Sequence, residues 1–468
     1  MVFPTLTFAL FFSGIVVISW LLMPMPKYWK PFIILASLTF YGFADYRFVA
    51  LLIFMVVINQ FAAMQIYFVR DNHFKKSLTL GAIITVDLLV LGIFKYFNFF
   101  VDSFNNLFGN FGGNSNLLVL RILLPIGISF YTFQAISYVM DVYRERMLPA
   151  KFIDFAVLLT FFPHLVAGPI VRPAEFIPQL QTPRNPREIP LSPALVLIAS
   201  GLIKKVVIAD QLGRLSVDQV FGAPAGYSSW DIFIAIVAFG VQIYCDFSGY
   251  TDMAIGIAML LGFRFPQNFD RPYRSASLQE FWRRWHMTLS RFLRDYLYVG
   301  LGGNQKGERR TVINLIATMT IGGFWHGASF TFIVWGLLHG VGLAVERYLR
   351  LNYKFRLPTA VSIGLTFIFV NLVWVFFRSE TISDAFSMFS ELFTSFNQST
   401  ITVTPLVILL IVMGLFGQYL PSKLTQRSND LIGAIPVPLA AIGVGIAAAL
   451  VMLLTSGTGL SPFIYFQF

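Results

Sequence analysis

Two histidines lie in an otherwise apolar stretch near the middle of the chain, TIGGFWHGASFTFIVWGLLHG, residues 320–340. A neutral, buried imidazole can act as a general base on a hydroxyl group. His326 follows two glycines and precedes a third, so the backbone around it can approach another segment or a ligand closely. We therefore take His326 as the first candidate catalytic residue, at the end of a half-helix inside a membrane. His339 lies in a smoother run, which favours a hydrogen-bonding role between helices.

A third candidate, His286, lies in a basic and aromatic segment that extends from residue 271 to residue 310. The sequence SLQE at 277–280 is a capping box and predicts that an amphipathic helix begins there. This helix carries one apolar stripe at three- and four-residue steps, made of Trp282, Trp285, Leu289, Phe292 and Tyr296. We expect the helix to lie at the cytoplasmic surface of a membrane, with His286 beside the stripe and directed toward the protein interior.

Four arginines flank or oppose that stripe, namely Arg283, Arg284, Arg291 and Arg294. Guanidinium groups bind phosphates through charge-assisted hydrogen bonds, so this cluster is a candidate site for the phosphates of a nucleotide-like donor. Contact with phospholipid headgroups explains the same charges equally well. At the level of sequence both interpretations stay open.

Two further segments combine polar residues with apolar surroundings. FFPHLVAGPIVRP, residues 161–173, contains prolines and glycines that predict a broken or re-entrant helix. QIYCDFSGYTDMAIGIAML predicts a second interruption, with Asp246 and Asp252 around FSGY. Ionisable groups in such segments usually mark a pathway or a site. We expect Asp246 to orient a histidine or a water molecule, while a helix cap at the membrane edge is the alternative for both Asp246 and Asp252.

The elements that position these residues follow from composition. The 468-residue chain is 56% hydrophobic and only 12% charged, with a mean hydropathy of +0.71, which is typical of a polytopic membrane protein. Apolar windows of spanning length predict an all-α membrane protein with about eleven to thirteen membrane helices, some of them broken. We expect the first apolar segment to be an uncleaved span and residues 1–468 to form a single membrane domain, with 271–310 as its cytoplasmic basic segment.

Charge and motifs exclude several classes of site. The formal net charge is +11, and basic loops indicate the cytoplasmic side of the membrane. Cys245 is the only cysteine, which excludes an intramolecular disulfide and a cysteine-based metal cluster. The sequence contains no Walker A loop, no nucleophile elbow and no metal-spaced cluster. We therefore expect no bound cofactor or metal, and no nucleic-acid partner.

Several long motifs resemble the bacterial branch of the membrane-bound O-acyltransferases, which includes alginate-acetylating members. In chain order they are LLPIGISFYTFQAISYVMDVYR, FFPHLVAGPIVR, QIYCDFSGYTDMAIG, NFDRPYRSASLQEFWRRWHMTLSRFLRDYLYVGLGGN and GGFWHGASFTFIVWGLLHG. They cover most of residues 90–345. The resemblance implies a helical fold around a central tunnel, acetyl-CoA as a cytoplasmic donor substrate, and an acceptor on the far side of a bacterial inner membrane. It also implies a periplasmic acetyltransferase partner. The family's invariant histidine corresponds to His326 and its second histidine to His286.

The C-terminal sequence SPFIYFQF, residues 461–468, resembles the C-terminal motif of the small peptide partner in teichoic-acid D-alanylation. A tyrosine is thought to carry the acyl group in that peptide, and the resemblance makes Tyr465 a possible acyl-accepting residue. The alternative is an aromatic residue at the membrane interface.

Other functions stay open at this level. Acylation of peptidoglycan or teichoic acid would use the same mechanism as acetylation of an alginate- or cellulose-like polysaccharide. A transporter would use intramembrane His and Asp as a proton relay, and it predicts paired half-sequences that are not visible in this chain. A scaffold of a polysaccharide export complex would leave both His326 and Tyr465 replaceable.

Overall fold

The computed structural model of the chain describes residues 1, 3–110, 121–353, 357–455 and 463–464. Within these ranges all regular secondary structure is helical. Seven helical runs there are long and apolar enough to cross a membrane, and three of them, Pro26–Phe68, His73–Asn105 and Leu191–Gly222, contain more than one helix. Leu6–Leu22 and Pro405–Tyr419 are shorter apolar helices. The predicted all-α polytopic membrane protein is confirmed.

The first of two compact units comprises Met1–Ile189 and Ala258–Phe265. Its helices are α1 (Leu6–Leu22), α2 (Pro26–Asp45), α3 (Val49–Phe68), α4 (His73–Leu91), α5 (Phe97–Asn110), α6 (Ile128–Tyr143), α7 (Phe152–Thr160), α8 (Phe162–Leu165) and α9 (Pro173–Gln181). The stretch 161–173 is broken as predicted, because α8 is a single turn and α9 starts only at Pro173. His164 in α8 bonds the carbonyl of Leu158 at 2.8 Å and is enclosed by phenylalanine rings.

The second unit comprises Pro190–Ile257 and Pro266–Phe468. Its helices are α10 (Leu191–Leu202), α11 (Asp210–Leu212), α12 (Asp218–Gly222), α13 (Ser229–Leu260), α14 (Leu278–Arg284), α15 (Met287–Phe292), α16 (Gly307–His326), α17 (Phe330–Asn352), α18 (Thr359–Arg378), α19 (Ile382–Thr394), α20 (Pro405–Tyr419), α21 (Ser422–Ala434) and α22 (Val437–Thr455). π-Helical turns over Ile203–Ala209 and Gly213–Val217 connect α10, α11 and α12. All predicted site residues that the structure describes lie in this unit. The single domain expected over residues 1–468 stays a prediction.

Helix α13 is unbroken over 32 residues, so the interruption predicted at FSGY is wrong. Gly249 serves close packing, because a methyl group on it would lie 2.8 Å from the carbonyl oxygen of Gly201. The cap interpretation of Asp252 is wrong as well. Asp252 lies in mid-helix, where its carboxylate binds Lys204 at 2.6 Å.

The amphipathic helix predicted from residue 277 onward begins as expected but does not continue. The Ser277 hydroxyl caps α14 by accepting from the N–H of Glu280 at 3.0 Å. The helix then ends at Arg284, and α15 starts only after His286, which has a left-handed backbone with φ +41°. The prediction of a single apolar stripe on one continuous helix through residue 296 is therefore wrong. The cause of the break is a contact with Asn268, 18 residues earlier in the chain.

Helices α16 and α17 cross with almost no side chains between them. A methyl group on Gly336 would lie 3.0 Å from the Cα of Thr320 and 3.1 Å from the Cα of Gly323, closer than ordinary packing allows. Gly340 faces the backbone of Ile316 in the same way. Helix α16 ends at His326, as predicted, although its 20 residues make it longer than a half-helix. The glycines thus allow the close approach of α16 and α17 that places His326 next to Trp335.

Candidate active site

His286 is buried at the turn between α14 and α15. Its ring lies edge-on to Phe247 of α13, with the centroids 4.6 Å apart, and near Phe269. Burial lowers the pKa of His286 to about 3, because the charged imidazolium loses its hydration. The imidazole is therefore neutral at physiological pH, with one of its ring nitrogens unprotonated.

The turn is held by Asn268. Its backbone carbonyl accepts from the N–H of Met287 at 2.9 Å, and its side-chain oxygen accepts from both the N–H and the hydroxyl of Thr288. The Nδ1 atom of His286 lies 3.2 Å from the same side-chain oxygen. These bonds satisfy the first N–H groups of α15 and account for the break in the predicted helix. Asn268 was not singled out from the sequence, since it precedes His286 by 18 residues.

His326 is buried at the end of α16 among aromatic rings. The centroids of Trp325, Trp335 and Phe377 lie 5.0, 5.2 and 5.6 Å from its own. Helix α17 supplies Trp335 across the glycine-lined crossing. The site therefore depends on the close approach of these two helices.

The two histidines are connected through tryptophan rings. Trp335 stacks on Trp374 at 5.4 Å, and Trp374 contacts Trp285 at 5.1 Å. Trp285 directly precedes His286 in the chain. The structure thus brings His286 and His326 to opposite ends of one aromatic cluster, with no ring contact between the two in the described ranges.

A cavity of about 500 Å³ opens beside this cluster. Trp282 forms part of its wall and lies 5.8 Å from Trp335, which in turn contacts His326. The cavity is basic, since its lining includes Arg283, Arg291, Arg294, Arg347 and Arg350. Among the lining residues that the structure describes, Glu346 contributes the one carboxylate, and it accepts a hydrogen bond from the N–H of Leu278.

The predicted donor-binding arginines are only partly brought together. Arg283, Arg291 and Arg294 line the cavity, and Arg294 is also paired with Asp295 at 2.6 Å. Arg284 does not line it, because its guanidinium binds Glu280 and Asp270. Arg347 and Arg350 on α17 were not singled out from the sequence, where they lie in the basic stretch RYLRLNYKFR.

Asp246 belongs to a buried charge cluster. Its carboxylate binds Lys205 at 2.6 Å, and Lys205 also binds Asp210 at 2.8 Å. All three side chains are buried. Instead of bonding a histidine, the second oxygen of Asp246 accepts from the backbone N–H of Ile464 at 2.9 Å. The sequence signal for Lys205 and Asp210 was their position inside an apolar run, LIKKVVIAD.

The residues before Tyr465 reach this region, whereas Tyr465 itself lies outside the described residues. Phe463 packs on Tyr250 at 4.8 Å and on Phe247 at 5.8 Å. Phe247 also contacts His286. The described part of the C-terminal motif is therefore separated from His286 by a single aromatic ring.

His339 occupies an aromatic box. Trp282 and Trp335 lie 5.0 Å from its ring, and Phe281 is parallel to it at 6.3 Å. Within the described ranges neither ring nitrogen has a hydrogen-bond partner, so the predicted hydrogen-bonding role between helices is wrong. Among the same residues, no group of three His, Cys, Asp or Glu side chains is arranged to hold a metal ion.

Comparison with known proteins agrees with this geometry. The sequence profile of the "MBOAT, membrane-bound O-acyltransferase family" matches residues 144–382, which include His286 and His326. The chain belongs to this family. It is therefore an O-acyltransferase and a multi-pass membrane protein.

Relatives within the family span most of the chain. The chain is 37% identical to a probable alginate O-acetylase of Azotobacter vinelandii, over all of both proteins. It is 41% identical to a probable alginate O-acetylase of Pseudomonas aeruginosa over 84% of this chain and 76% of that protein. A peptidoglycan O-acetyltransferase of Helicobacter pylori is 39% identical over 77% of this chain and 72% of that protein.

Proposed function

We propose that this protein takes acetyl groups from cytoplasmic acetyl-CoA and passes them across the bacterial inner membrane for O-acetylation of an alginate- or cellulose-like exopolysaccharide. The observation that carries the proposal is the arginine-lined cavity whose Trp282 wall leads through Trp335 to His326. The relatives named as alginate O-acetylases support the class of acceptor.

The cavity suits a donor with a charged end and a reactive apolar end. Arginines bind phosphates through bidentate, charge-assisted bonds, which matches the phosphates of coenzyme A. The tryptophan rings beyond Trp282 form an apolar layer between the cavity and His326, which suits a site that keeps bulk water from a thioester. Anionic lipid headgroups are a second partner for the outermost arginines.

The proposed chemistry is a direct acyl transfer. The oxygen of an acceptor hydroxyl attacks the acetyl carbonyl carbon, the carbon–sulfur bond breaks, and coenzyme A leaves as the thiolate. A histidine nitrogen takes the proton of the hydroxyl and returns it to the thiolate. We assign His326 as this base, with His286 as the second catalytic histidine. The neutral state of His286 suits a residue that accepts a hydrogen bond or a proton.

We further propose Tyr465 as the first acceptor. A polymer is too bulky to enter a packed helical protein, whereas a tail residue can reach inward. The burial of Phe463 and Ile464 next to Phe247 supports this, because it anchors the chain directly before Tyr465. An aryl ester is a good acyl donor, and we infer that a periplasmic acetyltransferase partner moves the acetyl group from it to the polysaccharide.

A second candidate acceptor is peptidoglycan. The relative from Helicobacter pylori favours it, since its similarity also extends over most of this chain. The same cavity and histidines would serve either acceptor, so product analysis distinguishes them. Acetate released by mild base from purified exopolysaccharide and from purified peptidoglycan should be found in the first and not in the second.

The test uses purified protein and acetyl-CoA. Wild type should release free coenzyme A and gain a labile acetyl group, whereas His326→Ala should lose at least about 100-fold in rate with normal membrane insertion. His73→Ala, an exposed histidine at the start of α4, is the matched control and should behave as wild type. Loss of inserted protein instead of activity would support a structural role for His326.

The tail is tested by Tyr465→Phe, which removes only the hydroxyl. The variant should be expressed normally, stop acetylation of the polymer and lack the acetyl adduct that intact-mass analysis finds on the C-terminal peptide of wild type. Wild-type polymer acetylation by the Phe variant would end this part of the proposal.

A further inference from the structure

We propose that Asn268 is a positioning residue that holds His286 as the tautomer protonated on Nδ1, so that the unprotonated Nε2 faces the reaction. This inference rests on the proposed function, in which His286 is one of two catalytic histidines. It assigns a role to a residue outside the basic segment and states which nitrogen of His286 does the chemistry.

The Asn268 atom that faces His286 is identified by its hydrogen bonds to Thr288. The backbone N–H of Thr288 points to it at 3.1 Å, and an N–H group can only donate. The atom that receives it is therefore the amide oxygen and not the nitrogen. The Thr288 hydroxyl approaches the same atom at 2.9 Å and can donate as well. Asn268 is thus fixed in one orientation by its neighbours.

The same oxygen determines which ring nitrogen of His286 carries the proton. Its Nδ1 lies 3.2 Å from that oxygen, which accepts but cannot donate, so Nδ1 must carry the hydrogen. In a neutral imidazole the other nitrogen is then a bare acceptor. The Nε2 atom is buried and has no hydrogen-bond partner in the described ranges, which leaves it available to a hydroxyl group.

The backbone of His286 is also held in an uncommon conformation. Left-handed φ values are uncommon outside glycine, and His286 adopts one between two short helices. The carbonyl of Asn268 accepts from Met287 while its side chain accepts from Thr288, so one residue holds the first two N–H groups of α15 directly after His286. Residues held in such conformations cluster at functional sites.

Charges around His286 are already engaged elsewhere. On α13, Asp246 is bound to Lys205, and in the segment of Asn268, Asp270 is bound to Arg284. The rings of Phe247 and Phe269 form the direct contacts of the imidazole. Burial alone therefore lowers the pKa of His286, and the tautomer depends on Asn268 rather than on a carboxylate.

The decisive variant is Asn268→Asp. A carboxylate can accept the same three hydrogen bonds, which preserves the fold, but it stabilises the imidazolium and raises the pKa of His286. The acidic limb of the pH profile of acyl transfer should then move to higher pH by at least about one unit. A profile that superimposes on that of wild type would overturn the proposal.

A second variant, Asn268→Leu, leaves both Nδ1 and the Thr288 N–H without an acceptor. We expect kcat to fall by about 10²-fold, with the KM for acetyl-CoA within about twofold of wild type. Thr288→Val is the matched control, because it removes one bond to Asn268 and leaves the contact with His286; it should retain at least about a third of the wild-type kcat. Equal losses in the two variants would reduce Asn268 to a structural residue.

A readout independent of activity is the ¹⁵N spectrum of protein labelled at histidine. The signals lost in His286→Gln identify this residue among the five histidines of the chain. Wild type should show Nδ1 protonated and Nε2 bare, and Asn268→Leu should show a mixture. If His286→Gln keeps full activity, the catalytic role of His286 fails. If that variant is inactive while both Asn268 variants behave as wild type, only the positioning role fails.

Discussion

The second unit contains two groups of charges that differ in how they are neutralised. In the cavity beside Trp282, five arginines line the wall. Arg294 is paired with Asp295 and Arg347 with Glu308, but both pairs are partly exposed, so these partners can be exchanged for a ligand. In the cluster of Lys205, Asp210 and Asp246, every charge is buried and already has its partner within 2.8 Å. Charged side chains in this membrane protein therefore fall into two groups, one available to a ligand and one engaged in holding the helices together. We expect substitutions in the cavity to alter binding and substitutions in the cluster to alter folding.

The largest effect should come from Lys205→Met, which removes the buried lysine that both carboxylates bind. Removing one partner of a buried ion pair costs about 3–5 kcal/mol in unfolding free energy. Denaturant unfolding in detergent measures this loss. The neighbouring Lys204→Met breaks a more exposed pair with Asp252 and should cost about 1 kcal/mol. Equal losses from the two lysines would remove the distinction between buried and accessible charges.

A smaller loss is expected from Gly336→Ala, which provides an uncharged reference for the same unit. The added methyl group meets the backbone of α16, so overpacking should lower the unfolding free energy by about 1–3 kcal/mol. Gly364→Ala in α18 is the control, since no heavy atom lies within 4 Å of the new methyl group. Thermal unfolding of both variants tests how tightly the two helices cross. No loss of stability in Gly336→Ala would contradict the tight crossing.

The smallest effect in free energy should be seen in the cavity. Replacing Arg283 or Arg291 by Ala should raise the KM for acetyl-CoA about fivefold, which corresponds to about 1 kcal/mol for an accessible ion pair. The stability should not change, and the effect should weaken at high salt. Arg284→Ala is the control, because its guanidinium is bound to Glu280 and Asp270 outside the cavity. Unchanged donor kinetics at both cavity positions would leave lipid contact as their role.

The sequence predicts these regions to different extents. Helical class, the break at residues 161–173 and the end of α16 at His326 follow from local composition, and all three are confirmed. The break at His286 could not be predicted, because local periodicity favours a continuous helix and the cause is the pair of hydrogen bonds that Met287 and Thr288 donate to the distant Asn268. The interruption predicted at FSGY was wrong for the opposite reason. Gly249 permits close packing against a neighbouring helix and does not form a turn.

The candidate site shows the same division. His326 and His286 could be chosen from residue type and motif, and part of the arginine cluster from its helical spacing. Lys205 is visible as a charge in an apolar run, but its pairing with both Asp210 and Asp246 depends on how helices approach each other in three dimensions. Tertiary contacts of this kind leave no periodic trace in the chain.

The crossing of α16 and α17 has a consequence for motion. Because backbone meets backbone at Gly323, Gly336 and Gly340, the two helices cannot slide along each other by a turn without first separating. His326 and Trp335 are therefore carried on one rigid body, and we expect any movement that admits or releases a ligand to occur around them. The proposed catalytic base, His326, is thus a fixed point of the protein, and we expect the movements of a turnover cycle in the segments packed around it.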